Sequence, residues 1–161
     1  VIVVGAGLAG LVAACEVLRE PAPHGTLLAM HHPPLPSHVP LFDILELRHQ
    51  DELARVIGGT DVRGILAGHL HYSAHGTFAG IPVSVASATC YTMNVARPAA
   101  EVNGMDAAQA FQIVHVRPET ITHTVVPVVD APTGDHFSEA WLQRMAALTP
   151  EERLEAFSRK R

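Results

Sequence analysis

Two apolar runs that each end in histidine constrain this chain more than any other feature. Residues 26–30, TLLAM, run into His31 and His32 and are stopped by Pro33 and Pro34. Residues 62–68, VRGILAG, run into His69, Leu70 and His71. Short apolar runs bounded by turn residues read as buried strands, and proline cannot continue a ladder. The order is therefore strand, imidazole, loop, and it occurs twice. On an extended backbone, residues two apart point the same way, so His69 and His71 are expected to reach one site while Leu70 turns back into the core. Gly68 lets the chain bend there. One His-x-His is ordinarily a pair of surface histidines. Two imidazole-bearing strand ends point instead to a metal site, because neutral imidazole ligates zinc, iron and manganese, and neighbouring parallel strands assemble sites at their carboxyl ends.

The rest of the chain supplies a scaffold for such tips. With 161 residues, 48% of them apolar and 17% charged, it has the material for about one domain with a real core. The net charge of −5 argues against nucleic acid as a partner. Two cysteines, Cys15 and Cys90, make no disulfide framework and fit a reducing, cytoplasmic setting. Eleven histidines are many for this length and favour metal chemistry. Asp51 to Ile57 reads as a helix with Leu53, Val56 and Ile57 on one face, ended by Gly58 and Gly59, and it supplies a right-handed crossover between the two strands. Strands are expected at 77–78, 81–86, 111–116 and 120–128, with a turn at Pro118 and Glu119. Alternation places His123 at an edge or half-buried rather than as a ligand, and His115 likewise. Residues 37–40 and 96–106 read as loops, with His38 solvated. Ser138 caps a helix carrying Trp141, Leu142 and Met145, and Thr149-Pro150-Glu151-Glu152 is a capping box ahead of Leu154 and Phe157. The basic end, 159–161, reads as a solvated tail.

The blocks MHHPP and GHLH, set in HGTLLAMHHPPLP, ELRHQDELARVI, TDVRGILAGHLHYS and FAGIPVSVASATCYTMN, resemble the cyclic nucleotide phosphodiesterase branch of the calcineurin-like metallophosphoesterases. The likeness runs roughly from His24 to Pro127. It implies an α/β fold, part of an αββα sandwich with short C-terminal helices, and two divalent ions of manganese, iron or zinc. It also implies that His31 and His69 serve one ion and His71 the other. His32 would orient the phosphate or the leaving oxygen, with packing as its alternative role. The implied reaction is in-line attack of activated water on a 3′,5′-cyclic nucleotide such as cyclic AMP, giving the 5′-monophosphate. The family's Asp-x-His, bridging Asp and Asn-His blocks do not occur in this sequence. GDHFSE, residues 134–139, is only a polar-loop fragment of that kind. A catalytic metal takes about three protein ligands, so three histidines suit one ion. The expectation is a domain incomplete at its N-terminus with impaired hydrolysis, and a non-catalytic remnant is the alternative.

The first residues resemble a different family. VIVVGAGLAG, with Gly5, Gly7 and Gly10, followed by an apolar helix to Arg19, is similar to the opening of FAD-dependent oxidoreductases, where those glycines would meet the FAD pyrophosphate. The next strand should then end in an acidic residue, and here it ends in His31 and His32. The fingerprint is incomplete, which argues against FAD and for a scaffolding strand and helix. A flavin-binding oxidoreductase fragment remains the alternative from another class. Glycines, Glu16, Arg19 and Glu20 interrupt the run too soon for a transmembrane segment. The layout expected is 1–20 flavoprotein-like, 21–130 phosphoesterase-like and 131–161 a helical extension. A small-molecule cyclic nucleotide is the expected partner, and a homo-oligomer is compatible with the sequence.

Overall fold

The computed structural model describes residues 2–4, 15–16, 18–98, 101, 103–129 and 138–158. Gly5, Gly7 and Gly10, the flavin-type turn, lie outside the described residues. The chain divides into two compact units, 1–129 and 130–161. The first is α/β. Its main sheet contains β1 (Ile2–Val4), β2 (Thr26–Ala29), β3 (Val62–Ala67), β4 (Ala74–Phe78) and β5 (Ile81–Val85) in the order β1-β2-β3-β5-β4. Strands β1, β2, β3 and β5 are parallel, and β4 closes one edge antiparallel to β5. Two antiparallel ribbons follow: β6 (Thr92–Met93) with β7 (Gly104–Met105), and β8 (Ala110–Val116) with β9 (Ile121–Pro127).

A single irregularity fixes which side chains face the core. Thr26 pairs with Val62 but Leu27 pairs with Gly64, so Arg63 is an extra residue in β3. Such a bulge resets the alternation of a strand. Val62, Ile65 and Ala67 consequently share the core cluster with Leu28, Val83 and Val85. Asp61 secures the start of this pairing. Its side chain accepts from the Ala22 N–H at 2.7 Å and the Thr26 hydroxyl at 3.1 Å, and its carbonyl accepts from the Thr26 N–H. Arg63 lies against Gly25, where a Cβ would overlap the arginine Cδ and where φ is +76°. Only glycine satisfies both conditions.

Short helices and the β8–β9 ribbon both pack on this sheet. Helix α1 (Pro40–Asp43) gives Phe42 to the core, and α2 (Gln50–Ile57) gives Leu53 and Ile57. Ile57 and Ile65 are 0% exposed, and burying a side chain of this kind contributes about 1.5–3 kcal/mol. The α2 boundary lies one residue before the expected Asp51, and Gly58 ends the helix by donating its N–H to the Ala54 carbonyl. Gly64 and Ser84 meet the ribbon. A Cβ on Gly64 would be 3.8 Å from Ile121 Cδ1. Ser84 Oγ donates to Gln112 Oε1 at 2.8 Å, and Gln112 Nε2 donates to the Val85 carbonyl. Arg63 donates to the carbonyls of His24, Arg117 and Pro118.

Two expectations for loops are corrected. Pro40 initiates the helical turn α1 because its fixed φ suits a first helical position. Residues 104–105 pair with 92–93, so 96–106 is not loop throughout. The second unit contains α3 (Glu139–Ala147) and α4 (Pro150–Ser158). Ser138 Oγ accepts the Trp141 N–H, and Thr149 and Glu152 form a reciprocal capping box at 2.9 and 3.2 Å.

Candidate metal centre

The site begins where the β2–β3 ladder runs on past its formal ends. The Met30 N–H donates to the Leu66 carbonyl at 2.9 Å, and the Gly68 N–H donates to the His31 carbonyl at 3.1 Å. These two bonds bring His31 and His69 side by side at the carboxyl edge of the sheet. Beyond Gly68 the backbone is no longer extended: φ is +72° at His69 and +57° at His71. The expected extended His-x-His is thus corrected. Both histidines have left-handed φ, while Leu70 between them, 3% exposed, still enters the core.

His31, His32 and His69 converge. His69 Nδ1 lies 3.2 Å from His31 Nε2. The His32 and His69 ring centroids are 4.0 Å apart, and each is 5.0 Å or less from the His31 ring. One nitrogen from each ring falls within 4.8 Å of the others. Phe42 places its ring 5.4 Å from His69 and walls the group on one side. A shallow cleft lined by His32, Ser37, Phe42, Glu46 and His69 opens beside it. Ser37 shares a 2.8 Å hydrogen bond with the Tyr72 hydroxyl and accepts the Val39 N–H, while the His38 ring packs on Tyr72.

The electrostatics favour uncharged rings at His32 and His69. Burial, then the neighbouring rings of His32, His31 and His71, lower the pKa of His69, against an opposing pull from the Leu45 backbone. Burial and then His31 lower that of His32. His69 Nε2 is buried and has no hydrogen-bond partner. A ring nitrogen from each of His31, His32 and His69 within 4.8 Å of the others, with His32 and His69 held toward the neutral form, suits a divalent cation. Within this group, among the described residues, there is no carboxylate.

His71 stands outside the group. Its Nδ1 is 2.8 Å from the Tyr91 carbonyl. A carbonyl only accepts, so Nδ1 carries the proton and the lone pair is on Nε2. Cys90 Sγ is 4.0 Å from the same Nδ1. Sequence reasoning expected His32 to serve the reaction and did not foresee it among the converging donors; the signal was its position next to His31 with proline immediately after. Tyr91 was missed altogether; it lies in the segment after β5, six residues past Val85, where no histidine marks the strand end.

No family model matches the chain. It is 57% identical over 113 residues to a cAMP/cGMP dual specificity phosphodiesterase of Mycobacterium tuberculosis, covering 70% of this chain and 36% of that protein. Over this span the chain is similar to cyclic nucleotide phosphodiesterases. A probable cyclic nucleotide phosphodiesterase of Rhodococcus erythropolis is also 57% identical, over 111 residues, 69% of this chain and 37% of the relative. A 3′,5′-cyclic adenosine monophosphate phosphodiesterase of Haemophilus influenzae is 36% identical over 76 residues, 47% of this chain and 28% of the relative. The chain spans little more than a third of the length of the first two phosphodiesterases. Among the described residues, no helix is long and apolar enough to cross a membrane.

Proposed function

We propose that this chain supplies the strand-tip histidines of a metal-dependent phosphodiesterase that opens 3′,5′-cyclic nucleotides, cyclic AMP among them, to 5′-monophosphates. The observation that carries this reading is the convergence of His31, His32 and His69 at the carboxyl edge of parallel β2 and β3. His31 and His69 hold the cation, with manganese, iron and zinc all suited to imidazole donors. His71, its Nε2 lone pair free of the Tyr91 bond, is the donor for a second ion. When bound, such ions polarise the phosphoryl oxygens and make water a competent nucleophile near neutral pH. Uncharged donors leave the full cationic charge facing an anionic phosphodiester. Phe42 shields one side of the group from water. In the reaction water adds to phosphorus, one ester bond of the ring breaks, and the freed ribose oxygen takes a proton.

His32 has two separable roles. If it is a third donor, His32→Ala loses metal; if it orients phosphate, the variant keeps metal and raises KM. The layer order supports the sandwich reading as well, with α1 and α2 contributing to the core and the β8–β9 ribbon meeting Gly64 and Ser84 as part of a second sheet. The decisive experiment is metal analysis of the purified chain with a cyclic AMP assay in added manganese. His69→Ala is expected to abolish metal uptake and any hydrolysis, and stoichiometric metal retained by that variant would overturn the assignment.

A further inference from the structure

Three successive parallel strands deliver their following loops to one sheet edge: β2 delivers His31 and His32, β3 delivers His69 and His71, and β5 delivers the segment ending at Tyr91. The position of Tyr91 is built from several sides. The Met93 N–H donates to the His71 carbonyl at 3.0 Å, and Gln109 Nε2 donates to the Cys90 carbonyl at 2.9 Å and to Asp106 at 2.6 Å. The Tyr91 ring lies 4.4 Å from the His71 ring, tilted by 39°. One ring edge rests over Gly104, where a Cβ would come within 3.3 Å of Tyr91 Cδ2. Despite these constraints the residue is 51% exposed. A large aromatic ring is thus fixed in orientation, yet much of its surface is open to solvent beside a candidate ligand. Aromatic residues that serve packing alone normally bury their area.

We propose that Tyr91 is a stacking platform for the nucleobase of a nucleoside phosphate whose phosphate sits at the histidine tips, an inference that rests on the phosphodiesterase reading above. The phosphate end supplies charge and the ring supplies a flat apolar face. Base-on-aromatic stacking is tolerant of base identity, so the platform takes adenine and guanine alike and selects nucleotides over phosphodiesters that lack a base. Tyr91 has two distinct duties in this arrangement. Its backbone carbonyl holds His71, and its side chain holds the base. Substitution of the side chain leaves the first duty intact.

Calorimetric titration of the manganese-loaded protein with 5′-AMP and with ribose 5-phosphate tests this. The wild type is expected to bind 5′-AMP roughly tenfold more tightly than ribose 5-phosphate, as one stacked base implies. Tyr91→Ala is expected to erase that preference while keeping manganese uptake and ribose 5-phosphate affinity, and Tyr91→Phe is expected to retain it. A preference that survives in Tyr91→Ala overturns the platform, as does a Tyr91→Phe variant as weak as Tyr91→Ala. Equal wild-type affinity for the two ligands sinks the platform and leaves the phosphodiesterase reading standing. Binding of neither ligand sinks both.

Discussion

Histidines gather at two places in this molecule, the β2–β3 tips and the seam between β4, β5 and the β8–β9 ribbon, and the two behave differently. At the tips, His32 and His69 are 4.0 Å apart by ring centroid, and one nitrogen each from His31, His32 and His69 lies within 4.8 Å of the others, whereas a buried nitrogen without a partner occurs in both places, on His69 and on His123. At the seam, His75 and His123 are 6.5 Å apart. His75 Nδ1 is engaged by the Ser84 hydroxyl at 3.2 Å, and that hydroxyl in turn donates to Gln112. The cause lies in the backbone. His75 and His123 belong to strands whose ladders dictate where each side chain points, opposite Ser84 and Val114. His31, His32 and His69 stand past the strand ends, where the chain is free to turn several rings toward one point. Local histidine density therefore says little about whether rings converge; placement relative to the end of a ladder says much more.

The largest expected effect sharpens that contrast directly. His69→Ala should reduce metal uptake from stoichiometric to background, whereas His123→Ala should leave uptake unchanged, as measured by elemental analysis after desalting. A smaller effect separates the seam from the tips by volume. Gly64→Val pushes branched methyls toward Leu27 and Ile121 and should cost about 1–3 kcal/mol of stability by overpacking, read by denaturant unfolding, with metal uptake retained. Loss of metal in that variant would show that the two regions are not independent.

The smallest effect is a dependence on pH. Burial and then His75 lower the pKa of His123, and burial is the leading cause for His32 and His69 too. The unfolded chain, with ordinary imidazoles near 6.5, then takes up more protons than the folded one as pH falls below that value. The contribution of these histidines to the stability of the metal-free protein is accordingly complete above about pH 6.5 and is lost on acidification. His123→Gln should flatten this decline, compared by urea unfolding at neutral and mildly acidic pH.

Much of the scaffold was legible in the sequence. The runs at 27–30 and 62–67 carry enough apolar residues to declare buried parallel strands, and α2 announces itself through Leu53, Val56, Ile57 and the glycines after them. The capping box at Thr149 and Glu152 needed only local chemistry. Four-residue α1 and two-residue β7 escaped because neither is long enough to show a period. The site was half legible. Imidazoles at two strand ends pointed to the right edge, and His31 with His69 follows from strand adjacency. The positive φ at His69 and His71 is not written in any pattern of apolar residues, so the parting of His71 from His69 could not be read beforehand. The role of the Tyr91 carbonyl is set by a fold-back twenty positions away in the chain, beyond the reach of local periodicity.

The left-handed conformation at His69 sets foldability against chemistry at a single position. A residue with a Cβ held at φ +72° carries a steric penalty of about 1–2 kcal/mol that glycine escapes. Selection for thermal robustness alone would therefore drift toward glycine there and silently discard a cation donor. His69→Gly would thus relieve strain and remove a donor in one step.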